Sequence, residues 1–526
     1  MPKKVVIKKT ETKEDTKKNV KVTAIPEIKE KGFEAVETRA VTEPYTYVRL
    51  LYNKDISEYL YEIIEPQLSE EQKKTLDTIK NTLIESVDEG MRFASREKRV
   101  EYLRKNMDRI ILDKHIKMDE TFKEKIFYYI VRDLIGYGKI DVLMIDPMIE
   151  DISCDGAKTP IYIYHRAHES MRTNILFNSD EELDKFVVTL AQKCGKGISV
   201  ASPMLDATIP DGSRLQATLA KEVTTRGSSF TIRRFKANPI TPPDLVGFKT
   251  MSSEMMAYLW LGVQYGESML ISGGTASGKT TTLNAILLFI PPQMKIVSIE
   301  DTREINIPHE NWIAGLTRSG FAGKAGETSG EIDMFELMRA SLRQRPQYLI
   351  VGEVRGKEAF IIFQAMATGK ATYSTIHADS VQAIVNRLEN PPINLPRVLV
   401  AALNVVLLQA SVKVGPKMTR RIKKIVEIVG LEPDTKELIT NTIFEWNPAD
   451  DRFVYLGHSS VFEKIAYLKN MTLNEVTEEF KTRTEIINWM VKKNIKNYKE
   501  VANILSAYYQ EPEETIKKIR SDTYEK

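Results

Sequence analysis

The sequence predicts an α/β protein. A parallel sheet flanked by helices fills its second half, preceded by a small α/β domain and a helical N-terminal region. Three observations carry this reading. From about Leu245 to Ser411, short apolar runs alternate with helical stretches, the pattern of a parallel sheet covered on both faces. Within that region, Gly273-Gly274-Thr275-Ala276-Ser277-Gly278-Lys279-Thr280 matches G-x-x-x-x-G-K-[ST] between an apolar run, Ser268–Ser272, and a helical stretch, Thr281–Phe289. Ahead of it, Asn238-Pro-Ile-Thr-Pro-Pro243 places prolines where neither a helix interior nor a central strand tolerates them.

Composition narrows the function classes. The 526 residues carry 28% charged side chains with a net charge of only +3, which argues against a polycation built for nucleic acid. Two cysteines, Cys154 and Cys194, cannot supply a four-cysteine zinc site, and they read as buried thiols. The lysine-rich N-terminus lacks the apolar core of a signal peptide. The longest apolar run, Val398 to Val412, is broken by Asn404 and Gln409 and falls short of the ~20 residues that span a bilayer.

In order, residues 1–42 read as a disordered charged tail, because lysines such as Lys3, Lys8, Lys13 and Lys21 alternate with acids and no apolar period is present. Such a tail could touch anionic lipid. Residues 43–139 read as helical: Phe122, Ile126, Ile130 and Leu134 recur every fourth residue, with Asp119 or Thr121 as a cap. Residues 140–237 show short strands, among them Ile161–Tyr164, Thr173–Phe177 and Ser229–Arg233, around a helix at Glu181–Lys193, a small α/β domain. Residues 238–244 read as a semi-rigid proline linker, and 245–526 as the main domain with hairpins and helices at its C-terminal end.

Four apolar runs, Ser268–Ser272, Lys295–Ile299, Tyr348–Val351 and Ala371–Ile376, each end in polar residues: the P-loop, Glu300-Asp-Thr-Arg-Glu304, Gly352-Glu353 and His377-Ala-Asp379. Ligands of parallel sheets bind off the carboxyl ends of the strands, so these motifs converge on one crevice. Backbone N–H groups of residues 273–281 would cradle the phosphates of ATP, Lys279 would add a point charge, and Thr280 would offer a hydroxyl to Mg²⁺. Glu304 and Glu353 are candidate carboxylates for positioning water or supporting the metal, or else salt-bridge partners. His377 would sense the γ-phosphate or bridge to a carboxylate. Arg339 and Arg343 share one face of a helix beginning near Asp333, either a solvated face or a source of trans-acting arginine fingers. Arg214, Arg226, Arg233 and Arg234 complete that pool.

Together these residues resemble the secretion ATPase superfamily of type II secretion, type IV pilus and archaellum motors. Its Walker B element has Gly where most P-loop proteins have Asp, as in Ile350-Val351-Gly352-Glu353. Its acidic box resembles Glu300–Glu304, and its histidine box resembles Thr372–Asp379. Leu342–Arg355, Phe363–Gly369 and Arg387–Asn394 are similar to the archaeal branch. The resemblance implies a RecA-like P-loop ATPase in which Glu304 polarises water, Glu353 supports Mg²⁺ and His377 monitors the γ-phosphate. It further implies a homohexamer on the inner face of the membrane, working with a polytopic platform protein and accessory filament-assembly proteins, and no nucleic-acid partner. The alternative in a different class is a hexameric nucleic-acid translocase. One departure stands out: Lys370 occupies a position where the family often has an earlier histidine.

Overall fold

The computed structural model describes residues 22–86, 95–235, 238–318, 321–322, 328–329, 332–415 and 417–524. The chain folds as two compact units that divide between Phe235 and Lys236.

The first unit contains strands β1 (Phe33–Thr42), β2 (Thr46–Asn53) and β3 (Glu58–Ile64), then helices α1 (Glu70–Ser86), α2 (Arg96–Asp113), α3 (Glu120–Leu134) and α4 (Asp141–Ile145). Strands β4 (Ile149–Cys154), β5 (Pro160–His165) and β6 (Glu169–Leu176) follow, then α5 (Asp180–Lys193), β7 (Met204–Thr208), β8 (Arg214–Thr218) and β9 (Ser229–Arg233). The strands form one nine-stranded sheet in the order β1-β2-β3-β6-β5-β4-β9-β8-β7. Alternate residues along the strands, such as Ile161, Ile163, Leu215 and Ile232, share a core with Leu183, Val187 and Leu190 of α5. Helices α1–α3 pack on one another through Ile79, Leu83, Met107, Ile126 and Ile130. Asp119 caps α3 by accepting the Phe122 N–H at 2.6 Å.

Two expectations for this half need correction. The tail expected over 1–42 is folded over part of its length: residues 33–42 are β1, and Val22 and Thr23 are buried. β1 is an edge strand that buries little beyond Phe33, so backbone pairing with β2 holds it and no apolar period was there to read. Arg39 anchors it further by donating to the buried carboxylate of Asp146. The lysines at positions 3–21 lie outside the described residues. Nor is 43–139 purely helical, since residues 46–53 and 58–64 form the hairpin β2–β3, which joins the sheet through β3 and β6. Val48–Leu51 is buried in a run of four that includes the ion-paired Arg49, so β2 gives no clean alternation of apolar and polar residues.

The second unit opens with α6 (Pro242–Gly247), α7 (Ser253–Gln264), β10 (Met269–Ser272), α8 (Lys279–Ile286), β11 (Ile296–Glu300) and β12 (Trp312–Leu316). Next come the two-residue strands β13 (Phe321–Ala322) and β14 (Thr328–Ser329), then α9 (Met334–Arg343), β15 (Tyr348–Val351), α10 (Glu358–Ala367), β16 (Ala371–Ile376), α11 (Val381–Glu389) and α12 (Arg397–Val400). The unit finishes with β17 (Val405–Val414), β18 (Lys417–Leu431), β19 (Leu438–Asn447), β20 (Arg452–Tyr455), α13 (Ser460–Lys469), α14 (Leu473–Lys492), α15 (Tyr498–Gln510) and α16 (Pro512–Tyr524). Its main sheet runs β12-β11-β15-β16-β10-β17-β18-β19-β20. The strands are parallel from β12 to β17 and antiparallel beyond. Along β10, Met269 and Ile271 join one apolar cluster while Leu270 joins another, so the sheet is covered on both faces.

The proline stretch is not a spacer. Pro242 and Pro243 occupy the first turn of α6, where the missing N–H groups would have no helical partner in any case. Thr241, fully buried, donates its hydroxyl to Asp244 at 2.9 Å, and Leu245 enters the core.

The C-terminal helices close on the elements beside the P-loop. Trp260 of α7 stacks on Phe289 at 5.3 Å, and the Arg483 guanidinium of α14 lies over Trp260 at 4.9 Å. Tyr509 of α15 accepts from the Trp260 indole N–H at 2.7 Å and donates to the Phe289 carbonyl at 2.6 Å. Glu427 of β18, fully buried, accepts from Tyr258, Asn441, the Ser459 hydroxyl and the Ser460 N–H at 2.6–2.9 Å. Each of those donors left unpaired would cost about 1–3 kcal/mol. Glu427→Ala is therefore expected to lower stability by about 3 kcal/mol or more, read as a shift of the denaturant midpoint, with a smaller loss for Glu427→Gln.

Candidate active site

The P-loop leaves β10 between two strands that constrain it closely. The Gly273 N–H donates to the Ile376 carbonyl of β16 at 3.3 Å, and a Cβ on Gly273 would sit 2.1 Å from the Gln409 carbonyl oxygen of β17. Only glycine fits there. Gly278 turns the chain into α8 with φ +93°, a left-handed conformation that favours glycine, and Ala276 adopts φ +56°. The Ser277 hydroxyl donates to the Gly274 carbonyl at 2.8 Å. Arg420 of β18 braces the loop from outside, donating from Nε to the Ala276 carbonyl at 3.0 Å. Gly274, Thr275 and Ala276 are exposed, while Ser277 and Lys279 are buried and Thr280 and Thr281 are half-buried.

Lys279 links the loop to its neighbours. Its ammonium donates to the Gly274 carbonyl at 2.9 Å and lies 3.4 Å from His377 Nε2. Burial lowers its pKa, opposed by the charges of Glu353 and Glu304. His377 Nε2 in turn lies 3.9 Å from Glu353 Oε1. Burial, and then the positive charge of Lys279, lower the His377 pKa, which keeps the ring neutral at pH 7. Glu353 Oε2 accepts from Arg355 Nε at 2.9 Å and Nη2 at 2.5 Å, and Arg355 Nη1 reaches Asp301 at 3.4 Å. Glu304 is exposed at the mouth. The register explains the grouping: β11, β15, β16 and β10 are parallel neighbours spaced about 4.8 Å apart, so their carboxyl ends share one edge.

The other sequence-derived candidates are arginines. Arg339 and Arg343 are exposed on α9, which Asp333 caps. Arg214, Arg226, Arg233 and Arg234 all belong to the first unit. Arg214 pairs with Asp206 at 2.6 Å and Arg233 with Asp151 at 3.3 Å; Arg226 is exposed. Arg234, half-buried, donates to the Asp146 backbone carbonyl within its own unit. Lys370 precedes β16, whereas His377 follows it. At about 3.3 Å per residue the two stand about 20 Å apart, so Lys370 does not replace a histidine in this crevice.

Three residues the sequence reading passed over belong to the site. Arg355 and Arg420 gave no pattern to notice. Glu300 did stand at a strand end, but nothing there signalled that it turns inward. It is buried, with Oε1 accepting the N–H groups of Glu304 and Ile305 at 2.9 and 3.0 Å. Burial pushes its carboxyl up to about 7, opposed by those two N–H groups.

The P-loop between β10 and α8, with acidic and histidine side chains at neighbouring strand ends, defines a P-loop ATPase with a RecA-like sheet. The chain belongs to the type II/IV secretion system protein family, whose model matches residues 136–526. The Methanocaldococcus jannaschii protein MJ0900 is 39% identical over 402 residues, covering 76% of this chain and 72% of that one. The Bordetella pertussis type IV secretion system protein PtlH is 32% identical over 231 residues, covering 40% and 67%. A solved structure of the pilus retraction motor PilT with bound ADP matches 70% of this chain and 96% of its own at 17% identity; its TM-score of 0.40 adds nothing to the assignment. Among the described residues, no helix is long and apolar enough to cross a membrane.

Two outcomes follow from this geometry. Gly273→Ala forces the loop off the Gln409 carbonyl and is expected to abolish ATP binding, measured with a fluorescent nucleotide, while β10 and the rest of the core persist by circular dichroism. Glu300 is protonated in both folded and unfolded chains below its ordinary 4.5; between there and about 7 only the unfolded chain has lost its proton. Stability is therefore expected to fall as pH rises across that window, by up to about 3 kcal/mol. Melting temperatures from pH 5 to 8 should show a flatter slope in Glu300→Gln than in wild type.

Proposed function

We propose that the chain is an ATP-hydrolysing homohexameric motor that drives assembly, and in an archaellum also rotation, of an archaeal type IV pilus-like filament or secretion machine. It would work at the inner face of the membrane with a polytopic platform protein and accessory assembly proteins, and with anionic lipid as a further contact. The observation that supports this most is the grouping of Lys279, His377 and Glu353 beside a loop whose backbone is shaped for phosphates. The family assignment and the archaeal relative point the same way.

The residues present fit Mg²⁺–ATP. Residues 273–281 offer backbone N–H groups and the N-terminal end of α8 to the phosphates. Lys279, now on its own loop's Gly274 carbonyl, would exchange that acceptor for phosphate oxygens. Thr280 and Glu353 would hold Mg²⁺; the ion, when bound, would neutralise charge developing on the β- and γ-phosphates. Exposed at the mouth, Glu304 would orient water and accept its proton. His377, neutral beside Lys279, would contact the γ-phosphate without adding charge. Arg214, Arg226, Arg233, Arg234, Arg339 and Arg343 are the pool from which a neighbouring subunit would supply a cation.

Glu304→Gln is expected to cut steady-state phosphate release by about 10²–10⁴ while leaving ATP binding intact. Equal hydrolysis by variant and wild type would remove the general-base role. If a neighbour's arginine completes the site, specific activity rises with protein concentration; flat activity down to monomer concentrations would overturn the assembly reading. Stimulation by single-stranded DNA but not by anionic vesicles would favour a nucleic-acid translocase.

A further inference from the structure

Strand β15 ends just before Gly352, and a side chain from the neighbouring strand packs beside it. Glu300, from the adjacent strand β11, packs beside Gly352, where a Cβ would stand in ordinary van der Waals contact, 3.4 Å from Glu300 Cγ. The carboxylate is turned inward, and its Oε1 closes the turn 300–305 by accepting the Glu304 and Ile305 N–H groups. Ile305 is fully buried, while Glu304, one residue earlier, is exposed. One residue further on, the Asn306 N–H donates to Asn284 of α8, the P-loop helix, at 3.1 Å. The backbone that carries Glu304 is thus held by Glu300 on one side and by the nucleotide-binding helix on the other.

We propose that Glu300 is a positioning residue for hydrolysis: it fixes the turn from which Glu304 reaches the water. The proposal rests on the reading of Glu304 as general base. Packing alone does not account for a carboxylate at 300. Its second oxygen, Oε2, is buried with no hydrogen-bond partner among the described residues, an arrangement that costs free energy and that an apolar side chain of the same size would avoid.

The test uses the full-length protein, with steady-state ATP hydrolysis and fluorescent-nucleotide binding. Glu300→Met, similar in length but without an acceptor, should lower kcat about tenfold or more with KM for ATP within about twofold of wild type. Glu300→Gln keeps an acceptor oxygen and should recover most of that loss. In a Glu304→Gln background, Glu300→Met should change kcat by less than about twofold, because both act through one group. Wild-type kcat in Glu300→Met, a KM that rises as kcat falls, or losses that multiply in the double variant would each overturn the proposal. Should Glu300→Met fail to melt cooperatively, Glu300→Asp, which withdraws the carboxylate by one methylene, must show the same split in kcat and KM. A slow Glu304→Gln with a fast Glu300→Met overturns the positioning role alone. A fast Glu304→Gln with a slow Glu300→Met overturns the general-base reading and the route through it.

Discussion

The second unit is arranged around a steric limit at one atom. Where β10 ends, the carbonyl oxygen of Gln409 stands so near the chain that residue 273 has no room for a Cβ. The backbone therefore leaves the sheet in the slot between β16 and β17 and curls at once, with the left-handed turn at Gly278 aiming α8 back over the loop. Because β16 is hydrogen-bonded to β10 residue by residue through Ser272 and Ile376, His377 must follow immediately beside the loop. One strand further out the same logic places Glu353, and one further still Glu300. The crevice is a consequence of parallel register, and the side chains in it are those the strands end upon.

That logic explains what the sequence disclosed. The P-loop, the four strand ends, a cap at Asp119 or Thr121 and a helix start near Asp333 are local patterns, each set by a few consecutive residues, and they are readable without knowing the partners. β1 and β2 were not, because an edge strand held by backbone pairing and a strand buried without alternation leave no periodic trace. Pro242 and Pro243 misled for a related reason: proline excludes helix interiors and yet favours first turns, and only the buried Thr241–Asp244 cap decides between the two. Glu300 and Arg420 were hidden more deeply. The inward turn of Glu300 depends on its burial in the folded sheet, and the role of Arg420 on where residue 276 lies in space, 144 positions away in the chain; no one-dimensional pattern carries either.

Electrostatics near the loop show a related economy of parts. Lys279, His377, Glu353 and Arg355 form a chain of alternating character in which each group has a partner before any nucleotide arrives. Lys279 rests on a loop carbonyl, so its charge is desolvated only in part, and phosphate needs to displace one neutral acceptor rather than a salt bridge.

The hydrogen bond from Tyr509 to the Phe289 carbonyl spans 220 residues of sequence and ties α15 to the turn that follows α8. Contacts of that separation form late, since a long loop must close before they give any return. On the ribosome, the helix behind the phosphate loop would emerge with its outer face uncovered, leaving Trp260 and Phe289 as exposed aromatic surface until Arg483, Tyr508 and Tyr509 have been synthesised. A nascent chain of this kind is born with its nucleotide-binding helix unsupported, and it presents a sticky apolar face while the roughly 200 residues after Phe289 are made, the circumstance in which chaperones and early subunit contacts matter most.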